Sequence, residues 1–232
     1  SEMCIRDSFY SVPNVRNYLH HRMSFGLIGS VPILRLHEEP LSSFENRLVK
    51  RTFDFFFSLL FLCTLFPVIF LIVSAVIKIT SPGPIFFKQK RNGLNGKEFW
   101  CYKFRSMKVN KDADKIQATL NDPRKTKFGN FMRKTNIDEL PQLWDILVGS
   151  MSIVGPRPPL PCEVAAYTDY ERQRLYVRPG LTCIWQIQPN RNDVTFDEWM
   201  DMDMRYIRDR TFLLDWKLIF GTVWTVFAGT GE

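Results

Sequence analysis

Twenty-three consecutive residues without a charge, Phe55 to Ile77, constrain this chain more than any other feature. The run is rich in Phe, Leu, Ile and Val. As a helix rising about 1.5 Å per residue it reaches about 34 Å, enough to cross a hydrocarbon core of about 30 Å. A signal peptide fits poorly, because the run is long and begins some fifty residues into the chain. A soluble core helix rarely goes this far without a charge. Pro67 works against a simple span, since it removes a helix hydrogen bond and crowds the preceding turn. The halves 55–66 and 68–77 would each cover only about half a bilayer. Arg35, Arg47, Lys50 and Arg51 precede the run, and Lys78, Lys88, Lys90, Arg91 and Lys97 follow it. Cations favour the cytoplasmic side, so both ends belong on one side. The sequence therefore predicts a kinked, re-entrant helical hairpin over 47–80.

The rest is the length of one ordinary domain: 232 residues in all, 45% of them hydrophobic. That composition excludes a disordered tail, a collagen-like repeat and a small disulfide-stapled module. The five cysteines, Cys4, Cys63, Cys101, Cys162 and Cys183, show no C-x-x-C spacing. His20, His21 and His37 lie far from all of them but Cys4, so a zinc site is not indicated and the thiols read as reduced. Residues 84–134 hold fourteen Lys/Arg against four Asp/Glu, a local balance of +10 within a chain of net +7. Such a block suggests an anionic partner, whether phosphate, anionic lipid or nucleic acid, or else a solvated surface. Residues 1–8 fit no pattern and read as a foreign leader. Residues 9–46, with turn signals at Pro13, Gly26, Gly29, Pro32 and Pro40, read as the remnant of an upstream region plus a linker.

After Ser81-Pro82-Gly83-Pro84 the sequence predicts a small β-hairpin, Ile85–Arg91 and Glu98–Met107, closed by Asn92-Gly93-Leu94-Asn95-Gly96. Alternation places Trp100, Tyr102 and Phe104 on one face and Lys103 and Arg105 on the other. Two cations so spaced suit one phosphate, or an ordinary wet face. A short polar helix over 110–121 and a basic loop from Asp122 to Gly129, containing Arg124, come next. A helix follows around Thr135–Trp144, and two more over 196–209 and 211–227. Thr195 opens the first of these with a capping box. The second carries ten large apolar residues against Asp215 and Lys217, which suits an amphipathic helix in a membrane interface or a core helix.

Asp138 and Glu139 admit two readings. Asn136 three residues before Glu139 is an acceptable capping box, and acids belong in a first helical turn. Yet Arg133 and Lys134 lie just upstream and Gly155-Pro156-Arg157-Pro158 just downstream, where prolines restrict the backbone around one guanidinium fork. Adjacent carboxylates beside several cations suit a Mg²⁺-dependent phosphoryl transfer, one attacking phosphorus while the other helps to hold the metal. There is no P-loop and no G-x-G-x-x-G motif.

Taken together, these segments resemble the bacterial sugar transferases, or polyprenyl-phosphate hexose-1-phosphate transferases. The resemblance covers roughly 46–229. It rests on Lys50-Arg51-Thr52-Phe53-Asp54, Ser81-Pro82-Gly83-Pro84, Tyr102-Lys103-Phe104-Arg105-Ser106-Met107 and Asp122-Pro123-Arg124. It continues in Asp138-Glu139-Leu140-Pro141-Gln142, Met151-Ser152-Ile153-Val154-Gly155-Pro156-Arg157-Pro158 and Arg178-Pro179-Gly180-Leu181-Thr182. It implies an α+β, monotopic protein of the bacterial inner membrane with its active site facing the cytoplasm, over 81–232. The implied reaction moves a hexose 1-phosphate from a UDP-sugar to undecaprenyl phosphate, releases UMP and starts exopolysaccharide, capsule or O-antigen assembly. Mg²⁺ is the implied cofactor, a homodimer is compatible and no nucleic acid takes part. Asp138 and Glu139 become the catalytic and metal-binding pair, with Arg133, Arg157, Lys103, Arg105, Arg124 and Asp215 as candidate phosphate or substrate ligands. The alternatives are a membrane-bound glycosyltransferase that releases UDP and a non-enzymatic polybasic membrane scaffold.

Overall fold

The computed structural model describes residues 23–29, 31–36, 39–108, 124–188 and 194–228. The leader over 1–8 and the polar helix expected over 110–121 lie outside them. The chain divides into two units, Ser1–Glu38 and Glu39–Glu232. In the first, β1 (Met23–Ile28) and β2 (Val31–Leu36) form an antiparallel hairpin in register from Met23↔Leu36 to Ile28↔Val31. The sequence reads here as the remnant of an upstream region plus a linker, and Pro32 as one of its turn signals, so no strand is expected at this point. Pro32 is accommodated opposite Leu27, next to the turn at Gly29.

In the larger unit, α1 is one helix, Phe44–Thr80, that keeps its assignment through Pro67 rather than separating into two elements there. Its length and composition suffice to cross a membrane, and only 11% of its most apolar window is buried, unlike a soluble core helix. The helix lies along the rest of the unit over most of its length. Near its start, Arg51 donates from both Nη atoms to the carbonyls of Ile146 (2.5 Å) and Leu147 (2.7 Å). The buried Asp54 accepts from the Ile153 N–H at 3.1 Å, and Phe53 packs edge-on against Trp216. Near its end, Val73 and Ile77 are buried against Phe104 and Met132.

The predicted hairpin forms as β3 (Phe86–Asn92) and β4 (Glu98–Phe104), antiparallel, with Lys90 opposite Trp100 and Phe86 opposite Phe104. Phe86 stacks on Phe104 and Phe70 at 5.5 and 5.7 Å, which seats one face of the hairpin on α1. The other face carries Arg91, Cys101 and Lys103. Next come α2 (Lys127–Lys134), a 3₁₀ turn (Ile137–Glu139), α3 (Gln142–Val148) and β5 (Ser152–Val154). Then follow α4 (Pro161–Ala165), α5 (Asp169–Arg172), a 3₁₀ turn (Gln173–Tyr176) and β6 (Gly180–Thr182). The 3₁₀ turn Trp185–Ile187, α6 (Phe196–Asp209) and α7 (Phe212–Ala228) complete the unit. Thr195 caps α6 with the expected reciprocal box, accepting from the Glu198 N–H while Glu198 accepts from Thr195 N–H.

The main core joins Leu143 and Ile146 of α3, Ile153 and Val154 of β5, Met204 and Ile207 of α6, and Leu218 of α7. Along α7, Leu218 and Asp215 are buried while Leu213, Phe220 and Trp224 are exposed, so one apolar face packs inward and another does not. β5 and β6 pair in parallel, and the backbones press together where Gly155, just after β5, meets Gly180 at the start of β6. A Cβ on Gly180 would stand 2.0 Å from the Gly155 nitrogen, contact no side chain can relieve. Gly180→Ala should therefore lower stability by about 3 kcal/mol, the upper end for overpacking, read as a drop in melting temperature of the detergent-solubilised protein.

Candidate active site

Arg133 lies in the last turn of α2, and the chain then turns through Asn136 in a left-handed conformation (φ 51°) before the 3₁₀ turn that carries the acidic pair. This geometry removes the capping-box reading. The Asn136 side chain caps nothing, and Glu139 reaches instead to Lys103 across the site. α2 is held close by Gly129, whose Cα faces the Ser106 carbonyl so tightly that a Cβ would overlap it at 1.8 Å. The same segment is fixed by Arg133, whose Nε donates to the Ser106 hydroxyl at 3.0 Å.

The two carboxylates are adjacent in sequence but not equivalent. Glu139 forms a 2.5 Å ion pair with Lys103 Nζ, both side chains being mostly buried. Burial alone would raise its pKa, but Lys103 and then Arg157 outweigh burial and hold it near 2. Asp138 is 6% exposed and has no ion pair among the described residues. Burial, and then the neighbouring Glu139 charge, push it up to about 6 against the pull of Lys103 and Arg133. One site thus holds a firmly ionised carboxylate and a more basic one that is still mostly ionised at neutral pH.

A polar cleft opens beside Glu139, lined by Arg91, Lys103, Glu139, Gln142, Arg157, Leu181, Cys183 and Gln186, with Asp138 behind this lining. Arg157 leaves the loop after β5 with its guanidinium 5.5 Å from the Trp185 ring centre. Arg91 donates from Nη1 to the Pro158 carbonyl at 2.9 Å, which ties that loop to β3. Of the residues singled out in the sequence, Asp138, Glu139, Lys103, Arg133 and Arg157 are brought together. Arg105 is committed elsewhere: it donates to the Pro82 carbonyl at 3.0 Å and to that of Ser81, at the end of α1. Arg124 lies by the bridge between Met107 and Lys125, where its carbonyl accepts from the Lys108 N–H. Asp215 belongs to a separate buried cluster, accepting from Arg210 Nη2 (2.7 Å), Tyr206 Oη (2.7 Å) and Lys50 Nζ (3.2 Å). That cluster joins α1 to α6 and α7.

A family model described as bacterial sugar transferase matches residues 45–229. The chain belongs to that family. It is similar to the UDP-glucose:undecaprenyl-phosphate glucose-1-phosphate transferase of Escherichia coli (strain K12), 42% identical over 224 residues, 91% of this chain and 46% of the relative. It is similar also to the undecaprenyl-phosphate galactose phosphotransferase of Salmonella typhimurium (strain LT2), 36% identical over 226 residues, 90% of this chain and 46% of the relative. A shorter relative, exopolysaccharide production protein ExoY of Sinorhizobium fredii, is 37% identical over 202 residues, 79% of this chain and 87% of the relative. The chain thus spans about half the length of the first relatives and nearly all of the shorter kind.

Sequence reasoning missed several groups of this family member's cleft. Strand alternation places Arg91 on the face of Cys101 and Lys103, so the period-two pattern held that signal. Gln142, Cys183 and Gln186 carried no comparable mark. The donor set suits a hard divalent cation: two adjacent carboxylates supply oxygens, and Asp138 is raised first by burial and then by the neighbouring Glu139 charge. Among the described residues no cluster of three or more His, Cys, Asp or Glu could hold a metal ion. In a carbon-detected NMR titration of the protein labelled at Asp and Glu carboxyls, one signal lost in Asp138→Asn should titrate near pH 6. The Glu139 signal should stay ionised down to about pH 2.

Proposed function

We propose that this chain is the catalytic part of a phosphoglycosyl transferase that moves a hexose 1-phosphate from a UDP-sugar to undecaprenyl phosphate and releases UMP. The observation that carries this is the unequal pair: a buried Asp138 without an ion pair among the described residues, beside a Glu139 already bound to Lys103, with the charge of Arg133 acting on the first and that of Arg157 on the second. In the first half-reaction an Asp138 carboxylate oxygen attacks the sugar-proximal phosphorus. The bond from that phosphorus to the bridging oxygen breaks, and UMP departs with the electron pair. In the second, a phosphate oxygen of the polyprenyl carrier attacks the same phosphorus and frees the Asp138 carboxylate. Asp138 suits this role because its raised pKa makes it the better nucleophile while leaving it largely ionised at pH 7. Glu139, locked by Lys103, is poorly placed to attack and better placed to hold charge. Lys103, Arg133 and Arg157 offset the negative charge that gathers on the phosphate oxygens. Mg²⁺ held by Asp138 and Glu139 would supply further neutralisation of those oxygens.

The lipid acceptor requires the cleft to stand at a membrane surface, and α1 supports a monotopic arrangement in the inner leaflet. Lys50, Arg51 and Asp54 near its start and Ile77 near its end all contact the same unit. A helix that crossed a bilayer would carry one of those ends about 30 Å from the other side. Its outward residues Phe56, Leu60, Leu65, Leu71 and Ile72 are exposed and apolar, as are Phe220 and Trp224 of α7. That much apolar surface exceeds what a soluble protein scatters singly. On this reading the positive flanks favour the cytoplasmic side for both ends and for the cleft.

Asp138→Asn should abolish turnover, because an amide cannot act as nucleophile, while Glu139→Gln should lower kcat by at least a hundredfold without changing the product. Chromatography of the released nucleotide checks the reaction class: UMP supports it, and UDP as sole product would mean a direct glycosyl transfer. For topology, single cysteines at Glu45 and Lys97 in otherwise cysteine-free protein should both resist a membrane-impermeant thiol reagent applied to intact cells. Labelling of one site alone would show that α1 spans.

A further inference from the structure

Arg157 must point at phosphate, yet the prolines on either side fix only its backbone torsions and leave the guanidinium free to swing. A second arginine that the proposed chemistry does not use lies against Arg157. Arg174, in the 3₁₀ turn Gln173–Tyr176, is 2% exposed. Its Nη2 donates to the Arg157 carbonyl at 2.8 Å and to Asp203 Oδ2 at 2.6 Å, and its Nη1 donates to the Tyr167 hydroxyl at 2.8 Å. The guanidinium also lies 4.8 Å from the Trp199 ring centre. Trp199 meets Trp185 edge-on at 6.0 Å, and Trp185 is the ring over which the Arg157 guanidinium rests. Arg174 therefore reaches Arg157 by two routes, directly to its main chain and through two indoles to its side chain.

Stability is a poor explanation for this arrangement. A fully buried ion pair costs desolvation that apolar residues of similar volume would not incur. The cluster also leaves Arg174 Nε, Asp203 Oδ1 and the Nε1 atoms of Trp185 and Trp199 buried without hydrogen-bond partners among the described residues. Each such group is expensive. What the cluster does supply is a planar fork with three fixed directions, which a lysine ammonium on a flexible stem cannot reproduce.

We propose that Arg174, oriented by Asp203 and Trp199, is a positioning residue that aims Arg157 at the substrate phosphate. The inference rests on the reading of Arg157 as a phosphate ligand of the transfer reaction. It predicts that damage at position 174 passes through position 157, which a double-mutant cycle measures. Full-length wild type, Arg174→Lys, Arg157→Lys and the double variant, in detergent or nanodiscs, are compared for consumption of UDP-glucose with undecaprenyl phosphate. UDP-galactose serves in parallel. Arg174→Lys should lower kcat/KM about tenfold in the wild-type background and less than twofold in the Arg157→Lys background. Equal losses in both backgrounds, or no loss in either, would overturn the proposal, because a general structural role weakens both alike. Asp203→Asn is nearly isosteric, keeps the other bonds of Arg174 and guards against a misfolded lysine variant. It should show the same dependence on Arg157 with a smaller loss, and an equal loss in both backgrounds would again refute the coupling. Substrate consumption is scored whichever nucleotide emerges. A UDP product would therefore overturn the assigned reaction while the coupling between Arg174 and Arg157 is still read.

Discussion

Adjacent carboxylates cannot both ionise inside a protein unless cations stand close enough to offset them, and the larger unit is arranged around that requirement at Asp138 and Glu139. β4 supplies Lys103, α2 supplies Arg133, and the loop after β5 supplies Arg157, so three elements distant in sequence converge on two neighbouring residues. Each is fixed by contacts that permit little play. Gly129 lets α2 lie on Ser106, Gly155 and Gly180 let the loop after β5 touch the start of β6 backbone to backbone, and Arg91 ties the Arg157 loop to β3. Burial raises Asp138 while Lys103 holds Glu139 down against its own burial, which separates the proton affinities of the two acids.

The apolar helix serves the same site from the other side. α1 contributes almost no buried core at its most hydrophobic window, yet polar residues at its start are tied to α3, β5 and α7, and its end packs on β4 and α2. These are the elements that carry Lys103 and Arg133 or stand next to the acidic pair. A membrane contact made by α1 is thereby coupled mechanically to the height and orientation of the cleft.

Much of this was legible in the sequence because it depends on local rules. The uncharged run, the β3–β4 hairpin with its turn glycines and the Thr195 capping box followed from periodicity and end signals, and the structure contains each. The parts that escaped depend on where distant segments meet. Arg105 alternates with the same register as Lys103, but it lies just beyond the strand and is spent on the carbonyls of Ser81 and Pro82. Asp215 stood out as an acid in an apolar helix, yet its partners Lys50 and Arg210 draw it into a cluster that joins helices. Asn136 matched a capping box by spacing, but a positive φ turns the backbone and releases Glu139 to Lys103. Arg174 gave no signal at all, since its value lies in a carbonyl and two indoles that only the fold assembles.

The central claim is that Asp138 becomes covalently loaded before the lipid acceptor takes part. Intact-protein mass spectrometry of the enzyme quenched after mixing with UDP-sugar and Mg²⁺, without undecaprenyl phosphate, tests it most directly. The account predicts a mass increase equal to one hexose phosphate, mapping to the peptide that contains Asp138, discharged by undecaprenyl phosphate and absent from Asp138→Asn. An active preparation that never carries that adduct, or carries it on another residue, would contradict it.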